Sequence, residues 1–176
     1  MRGHGLVIDP GHGGLNGGCM IGNIREADYV LALAHMMPGV QYTRVSNTDV
    51  SLGERGRIAK ELDADLVVSL HVDSRPGGLR GISFYYWPGN ERTKELCRDM
   101  YEVSPATLKF PPGANRARPI IRAGREPWQA SARNVLRAFE CDAILIEIGD
   151  CDADYEALMD HTTQTLLCAT IMAICY

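Results

Sequence analysis

The chain is predicted to fold as α/β: a mixed, mostly parallel sheet of about six strands, flanked by helices, in a single domain. Three observations predict this. Strand-like apolar runs alternate with segments whose apolar residues recur at helical spacing, the order that builds a sheet covered by helices. Three of the runs end near a residue able to bind a cation or move a proton. Leu6-Val7-Ile8-Asp9 leads into Pro10-Gly11-His12-Gly13-Gly14, Leu66-Val67-Val68-Ser69-Leu70 delivers His71, and Ala143-Ile144-Leu145-Ile146 delivers Glu147. Ligands gather at the carboxyl ends of strands in open α/β sheets, so these distant residues point to one site. Finally, the 176 residues hold no internal repeat or linker, and the length suffices for one substantial core.

The first strand covers about 5–9 and ends in a glycine-rich turn over 11–22. A helix begins near Ile24 with Asn23 as its cap, and Ile24, Ala27, Leu31 and Ala34 face the sheet. Pro38-Gly39 stops that helix, and Val40-Gln41-Tyr42-Thr43-Arg44 forms a second strand. Ser51 and Glu54 are spaced as a capping box opening a helix that runs to about Leu62. The His71 strand follows, then a polar turn over 73–78, a strand over 81–87 and a helix over about 90–102. Residues 104–130 carry Pro105, Pro111, Pro112, Pro119 and Pro127 and read as an irregular excursion, longer than the ~12–15 residues usual for structureless loops. Residues 135–139 and 143–148 read as the last two strands, and about 153–174 as helical with a break near Asp160.

Hydrophobic residues make up 45% and charged residues 23%, ordinary for a soluble globular protein. A net charge of −4 argues against nucleic acid or an anionic membrane surface as the partner. The longest apolar stretch, 166–175, is too short to span a bilayer. Within 104–130, Lys109, Arg116, Arg118, Arg122 and Arg125 face only Glu126, a local +4 that leaves −8 for the rest and suits a small anion. Six cysteines without a C-x-x-C pair read as reduced thiols. Met1-Arg2-Gly3-His4 has no apolar export core, which predicts synthesis in the cytosol.

Each candidate residue has a bland alternative. Glycines on both sides leave the His12 imidazole uncrowded, a pattern shared with solvent-facing turns and phosphate loops. Glu26 fits a variant capping box with Asn23, yet side chains in a first helical turn also tilt back toward the preceding loop, where His12 lies. His71 reads as a strand-end residue or a core histidine. Glu147 interrupts an apolar strand, so its carboxyl is expected to be desolvated with a raised pKa, as suits a general acid/base; a buried ion pair is the alternative. Taken together, two imidazoles and one carboxylate can hold Zn²⁺ with a fourth position open for water, whose pKa falls to about 7. A second, unligated glutamate can then relay protons to a leaving amine. Hydrolysis of an amide requires these parts.

At these residues the chain resembles the zinc-dependent N-acetylmuramoyl-L-alanine amidases of the Amidase_3 type. The resemblance rests on Val7-Ile8-Asp9-Pro10-Gly11-His12-Gly13-Gly14, Glu26, Thr43-Arg44 with Asp49, Ser51-Leu52-x-x-Arg55, Ser69-Leu70-His71, Gly81 before a strand, and Leu145-Ile146-Glu147-x-Gly149. It covers nearly the whole length, so residues 1–176 are expected to form one catalytic domain. The resemblance implies that His12, Glu26 and His71 are zinc ligands and that Glu147 is the catalytic glutamate. It implies cleavage of the bond between the lactyl group of muramic acid and the first L-alanine of the peptidoglycan stem. Val72-Asp73-Ser74 and Asp150-Cys151-Asp152 depart from the family pattern.

Arg118, Arg122 and Arg125, with Arg116 and with Trp128 as an apolar wall, are candidates to grip stem carboxylates bidentately. A lone catalytic domain without an export signal resembles a phage endolysin that reaches the wall only after release, and it is expected to act as a monomer without inserting into the membrane. Competing readings are a murein carboxypeptidase, another zinc amide hydrolase, and a silent murein-binding module.

Overall fold

Every residue of Leu6–Pro10 (β1) is buried, as in a strand covered on both faces of a parallel sheet. The computed structural model describes residues 5–74, 80–107, 116–119 and 127–176, with backbone alone for 105–107, 116–119 and 127–130. After β1 come Met20–Ile21 (β2), Ile24–Arg25 (β3), Glu26–His35 (α1), Gln41–Tyr42 (β4), Leu52–Glu61 (α2) and Leu66–Asp73 (β5). Then follow Ser83–Tyr86 (β6), Glu91–Thr107 (α3), Arg116–Pro119 (β7), Pro127–Arg137 (α4), Asp142–Asp150 (β8), Tyr155–Met159 (α5) and His161–Cys175 (α6). Six strands form one sheet in the order β4-β1-β5-β8-β6-β7. The first four are parallel, and β6 reverses against β8 with β7 parallel to it. The mixed, mostly parallel sheet is thus the one expected. Among the described residues no helix is long and apolar enough to cross a membrane.

Alternation along the strands divides the core in two. Ile8, Val68, Leu70, Ile144 and Ile146 pack with residues of α1, α3 and α6 on one face. Val7, Val67, Tyr85, Ala143 and Leu145 pack with Ala59 of α2 and with Ala132, Val135 and Leu136 of α4 on the other. On this second face the period-two rows turn polar at the carboxyl end of the sheet. Val7 gives way to Asp9, Val67 to Ser69 and His71, and Leu145 to Glu147, while antiparallel β6 begins there with Ser83. The site therefore occupies the sheet end where apolar packing stops.

Several elements differ from the sequence expectation, each for a local reason. Residues 135–139 are not a strand. Ala132, Val135, Leu136 and Phe139 are the i, i+3, i+4, i+7 stripe of α4 and the turn after it, all packed on the sheet. A window opened at Val135 sees only half of that stripe. Asn23 caps no helix. Gly22, at φ 59°, and Asn23 form the two-residue loop of the β2–β3 hairpin, with Ile21 opposite Ile24. The helix starts at Glu26, and Arg25 at its N-cap makes no side-chain cap bond. In that helix Val30 and Leu33 are buried with Ala27 and Ala34, whereas Leu31 is half exposed.

The second strand shortens to Gln41–Tyr42; Thr43 N still donates to Ile8 O at 3.1 Å, and the Thr43 and Arg44 side chains go to Asp9 and to loop carbonyls. His71 does not end its strand, which runs on to Asp73. The proline-rich stretch is not wholly irregular either, since it supplies edge strand β7 and the start of α4. Ser51 does cap α2, accepting from Glu54 N at 3.3 Å, and Asp160 does separate α5 from α6.

Candidate active site

Three donor atoms converge above the carboxyl end of the sheet. His12 Nε2 lies 3.1 Å from Glu26 Oε1, and His71 Nδ1 lies 3.2 Å from the same oxygen and 3.2 Å from His12 Nε2. Ligands set tetrahedrally around an ion at about 2.0–2.1 Å stand about 3.3–3.4 Å from one another. The triangle therefore has the edge lengths of one face of such a shell, and these residues could hold a metal ion.

Backbone conformation and neighbouring polar groups aim each donor. His12 has φ 59°, a left-handed conformation seldom adopted outside glycine, reached inside the glycine loop. Its Nδ1 meets Asn16 Oδ1 at 3.0 Å, and Oδ1 accepts only, so Nδ1 carries a proton and Nε2 is the nitrogen left facing the triangle. Glu26 is the first residue of α1 and is buried. Its Oε2 accepts from Cys19 N and its Oε1 from Val72 N, both at 2.9 Å. The His71 ring lies directly against Gly11, where a Cβ would overlap the imidazole. Gly18, at φ +70°, likewise has its would-be Cβ against the Glu26 carboxylate. Gly11→Ala is accordingly expected to displace the His71 ring and weaken metal binding by about 10–100-fold, with secondary structure intact, as read by metal titration beside circular dichroism.

The cluster favours positive charge at its centre. Burial pushes the Glu26 carboxyl up, yet hydrogen bonds from His12 and His71 and their charge hold it well below the usual carboxylate range. Burial pulls the His12 imidazole down, but the hydrogen bond and charge of Glu26, with Asn16, outweigh it and leave its pKa raised. A cation in the triangle would meet the demand that a proton on His12 otherwise meets.

Glu147 stands in register with His71 across the β5–β8 ladder and with Ser83 across β6–β8. It borders the same cleft as the triangle, a cavity of about 660 Å³. The residue is half-buried, with Oε2 enclosed, so it is less fully desolvated than its apolar run suggests. The cleft is also lined by the N-terminal lip of α2, including Val50 and Leu52, and by α4, including Ser131, Asn134 and Val135.

The structure thus brings together His12, Glu26, His71 and Glu147. Arg122 and Arg125 lie outside the described residues. Arg118 belongs to β7, and Trp128 belongs to α4 one turn ahead of the cleft wall. The Cys19 thiol donates to Val72 O at 3.7 Å and stays out of the triangle. Asp150, Cys151 and Asp152 also gather donor atoms, but Asp150 Oδ1 accepts from Asp152 N and Ala153 N as the pivot of a turn. Two contributions escaped the sequence reading. Asn16 orients His12, and its only signal was a polar residue four positions on in a glycine loop. The α4 wall was hidden by the strand assignment over 135–139.

The profile of the N-acetylmuramoyl-L-alanine amidases of the Amidase_3 family matches residues 6–175. Among individual relatives, an endolysin of Bacillus phage SPP1 is 34% identical over 87 residues, covering 44% of this chain and 32% of the endolysin. The N-acetylmuramoyl-L-alanine amidase CwlM of Bacillus licheniformis is 33% identical over 105 residues, covering 54% of this chain and 41% of CwlM. The matched segments thus span about a third to two fifths of these relatives. Among solved structures, an N-acetylmuramoyl-L-alanine amidase from Clostridium difficile 630 superposes with a TM-score of 0.78 at 24% identity, covering 97% of this chain and 93% of the other. The catalytic domain of CwlV from Bacillus (Paenibacillus) polymyxa gives 0.72 at 25% identity, covering 94% and 92%. With a family profile matched from one end of the described fold to the other, the chain belongs to the N-acetylmuramoyl-L-alanine amidase family.

Proposed function

We propose that the chain is a zinc-dependent N-acetylmuramoyl-L-alanine amidase that hydrolyses the amide between the lactyl group of N-acetylmuramic acid and L-alanine in peptidoglycan. The observation that carries this reading is the donor triangle of 3.1–3.2 Å edges with Glu147 in register beside it. Two imidazoles and one carboxylate are a donor set that suits Zn²⁺ and leaves a fourth position open. Bound there, zinc lowers the pKa of a water toward about 7 and polarises the scissile carbonyl.

The chain's own residues do the remaining work. His12, Glu26 and His71 would hold the ion, and Asn16, the Cys19 and Val72 amides and the Gly11 backbone orient them. Glu147, which is not one of the three donors, accepts a proton from the attacking water on its carboxylate and delivers it to the alanine nitrogen. The carbon–oxygen bond forms and the carbon–nitrogen bond breaks, leaving a lactyl carboxylate and a free stem-peptide amine. Arg118, Arg122 and Arg125, with Trp128, are the proposed grip on stem carboxylates; α4 walling the cleft just after Trp128 supports that assignment.

On this reading residues 1–176 act as a monomeric catalytic domain whose partner is peptidoglycan, not nucleic acid or a bilayer. Similarity to a phage endolysin supports a role in wall lysis after release from the cytosol. Mass spectrometry of digested sacculi tests the reaction. Intact stem peptides with a free L-alanine amine, together with lactyl-bearing glycan, are expected. Trimmed stems still attached to glycan would identify a carboxypeptidase instead.

A further inference from the structure

Two arginines in the sequence motifs give no atom to the donor triangle, yet their side chains converge beneath it. Arg55 is buried, and its guanidinium makes four short bonds. Nη2 donates to the carbonyl of His12 at 2.6 Å, and Nη1 donates to the carbonyl of Pro10 at 2.7 Å and to Asp9 Oδ1 at 2.6 Å. Nε donates to the carbonyl of Val50, on the lip of the cleft, at 3.0 Å. Asp9 is itself fixed by the hydroxyls of Thr43 and Ser69. Arg44 completes the set, with Nε on Pro10 O at 2.8 Å and Nη2 on both Gly11 O and Ala27 O at 2.7 Å. Three successive carbonyls around His12 are thereby held by two cations, and Arg44 ties the same loop to the residue after Glu26.

We propose that Arg55 is a positioning residue of the metal centre, holding the His12 backbone in its left-handed conformation so that Nε2 faces Glu26 and His71. This inference rests on the metal-site reading above. A non-glycine residue at φ 59° is unfavourable on its own and persists only when its surroundings over-determine it. The Arg55 bond restrains that turn at the His12 carbonyl itself, whereas the Gly13–Asn16 backbone pair and the Asn47 bond to Gly14 N hold the loop after it. Without it, the loop relaxes toward ordinary negative φ and carries the imidazole away from the triangle. Lysine at this position keeps a charge for Asp9, but a single ammonium nitrogen with three donors cannot serve four acceptors spread around a planar fork.

The test is Arg55→Lys, with zinc affinity measured by competition against a chromophoric chelator. Thermal denaturation of each metal-free protein first sets a temperature at which both are folded. The expected result is zinc binding weakened about 10–100-fold in folded Arg55→Lys. Unchanged affinity beside a lowered melting temperature would mean that Arg55 only stabilises the fold, and would overturn the proposal. If Arg55→Lys does not fold, crystal structures of the parent with and without zinc decide the matter: the His12 carbonyl must stay on Arg55 with φ positive in both. A parent that binds zinc no better than His71→Ala would instead refute the metal-site reading itself.

Discussion

Glu147→Gln is expected to lower peptidoglycan hydrolysis by about 10²–10⁴-fold while leaving the fold and the zinc content of the protein unchanged. Glutamine keeps the size of the side chain and its place in the ladder between His71 and Ser83. It removes the negative charge and, with it, the capacity to take up and release a proton. Because Glu147 lies outside the donor triangle, the loss falls on turnover and not on metal binding. Release of soluble muropeptides, followed beside zinc content by atomic absorption, separates the two effects. Turnover preserved in Glu147→Gln would remove Glu147 from the mechanism.

Removing the metal is expected to have an equally large effect. A chelator should bring activity to background, and added zinc should restore it; His71→Ala should remain inactive at any zinc concentration, because one of the three donors is gone. Zinc binding also stabilises the folded state, by about 2.7 kcal/mol when free zinc is a hundredfold above its dissociation constant, so the melting temperature should fall on chelation in the parent and not in His71→Ala. The pH dependence has a definite sign. The His12 pKa is raised, so its proton persists to higher pH than on a free imidazole and must leave before Nε2 can bind a metal. Zinc affinity should therefore rise with pH, by about tenfold per unit where one proton is displaced, and flatten above the His12 pKa. Affinity that does not vary across that range, measured by titration at several pH values, would take His12 out of the donor set.

Most of the sheet could be read from the chain because its strands are short apolar runs buried on both faces, such as Leu6–Pro10 and Asp142–Asp150. Three polar residues of the site, His12, His71 and Glu147, stood out for the same reason, since each follows or interrupts an apolar run, whereas Glu26 follows Arg25 in a first helical turn. What escaped was whatever depends on three dimensions. The apolar stripe of α4 begins at Ala132, so its second half alone resembles a strand. Asn23 has the composition of a helix cap, but Gly22 before it makes a hairpin turn that displaces the helix start by two residues. Glu26 fits a capping role by spacing, yet its carboxylate accepts from amides of Cys19 and Val72, the second of them 46 positions away. Arg44 and Arg55 were visible as motif members, but apart from Asp9 their targets are backbone carbonyls, which no side-chain pattern encodes.

Anomalous diffraction at the zinc edge from zinc-soaked crystals is the most direct measurement of the central claim. A single strong peak about 2.0–2.2 Å from His12 Nε2, Glu26 Oε1 and His71 Nδ1 is predicted, with the Glu147 carboxylate facing it but outside bonding distance. No peak among those three atoms, with zinc bound elsewhere or not at all, would contradict the account.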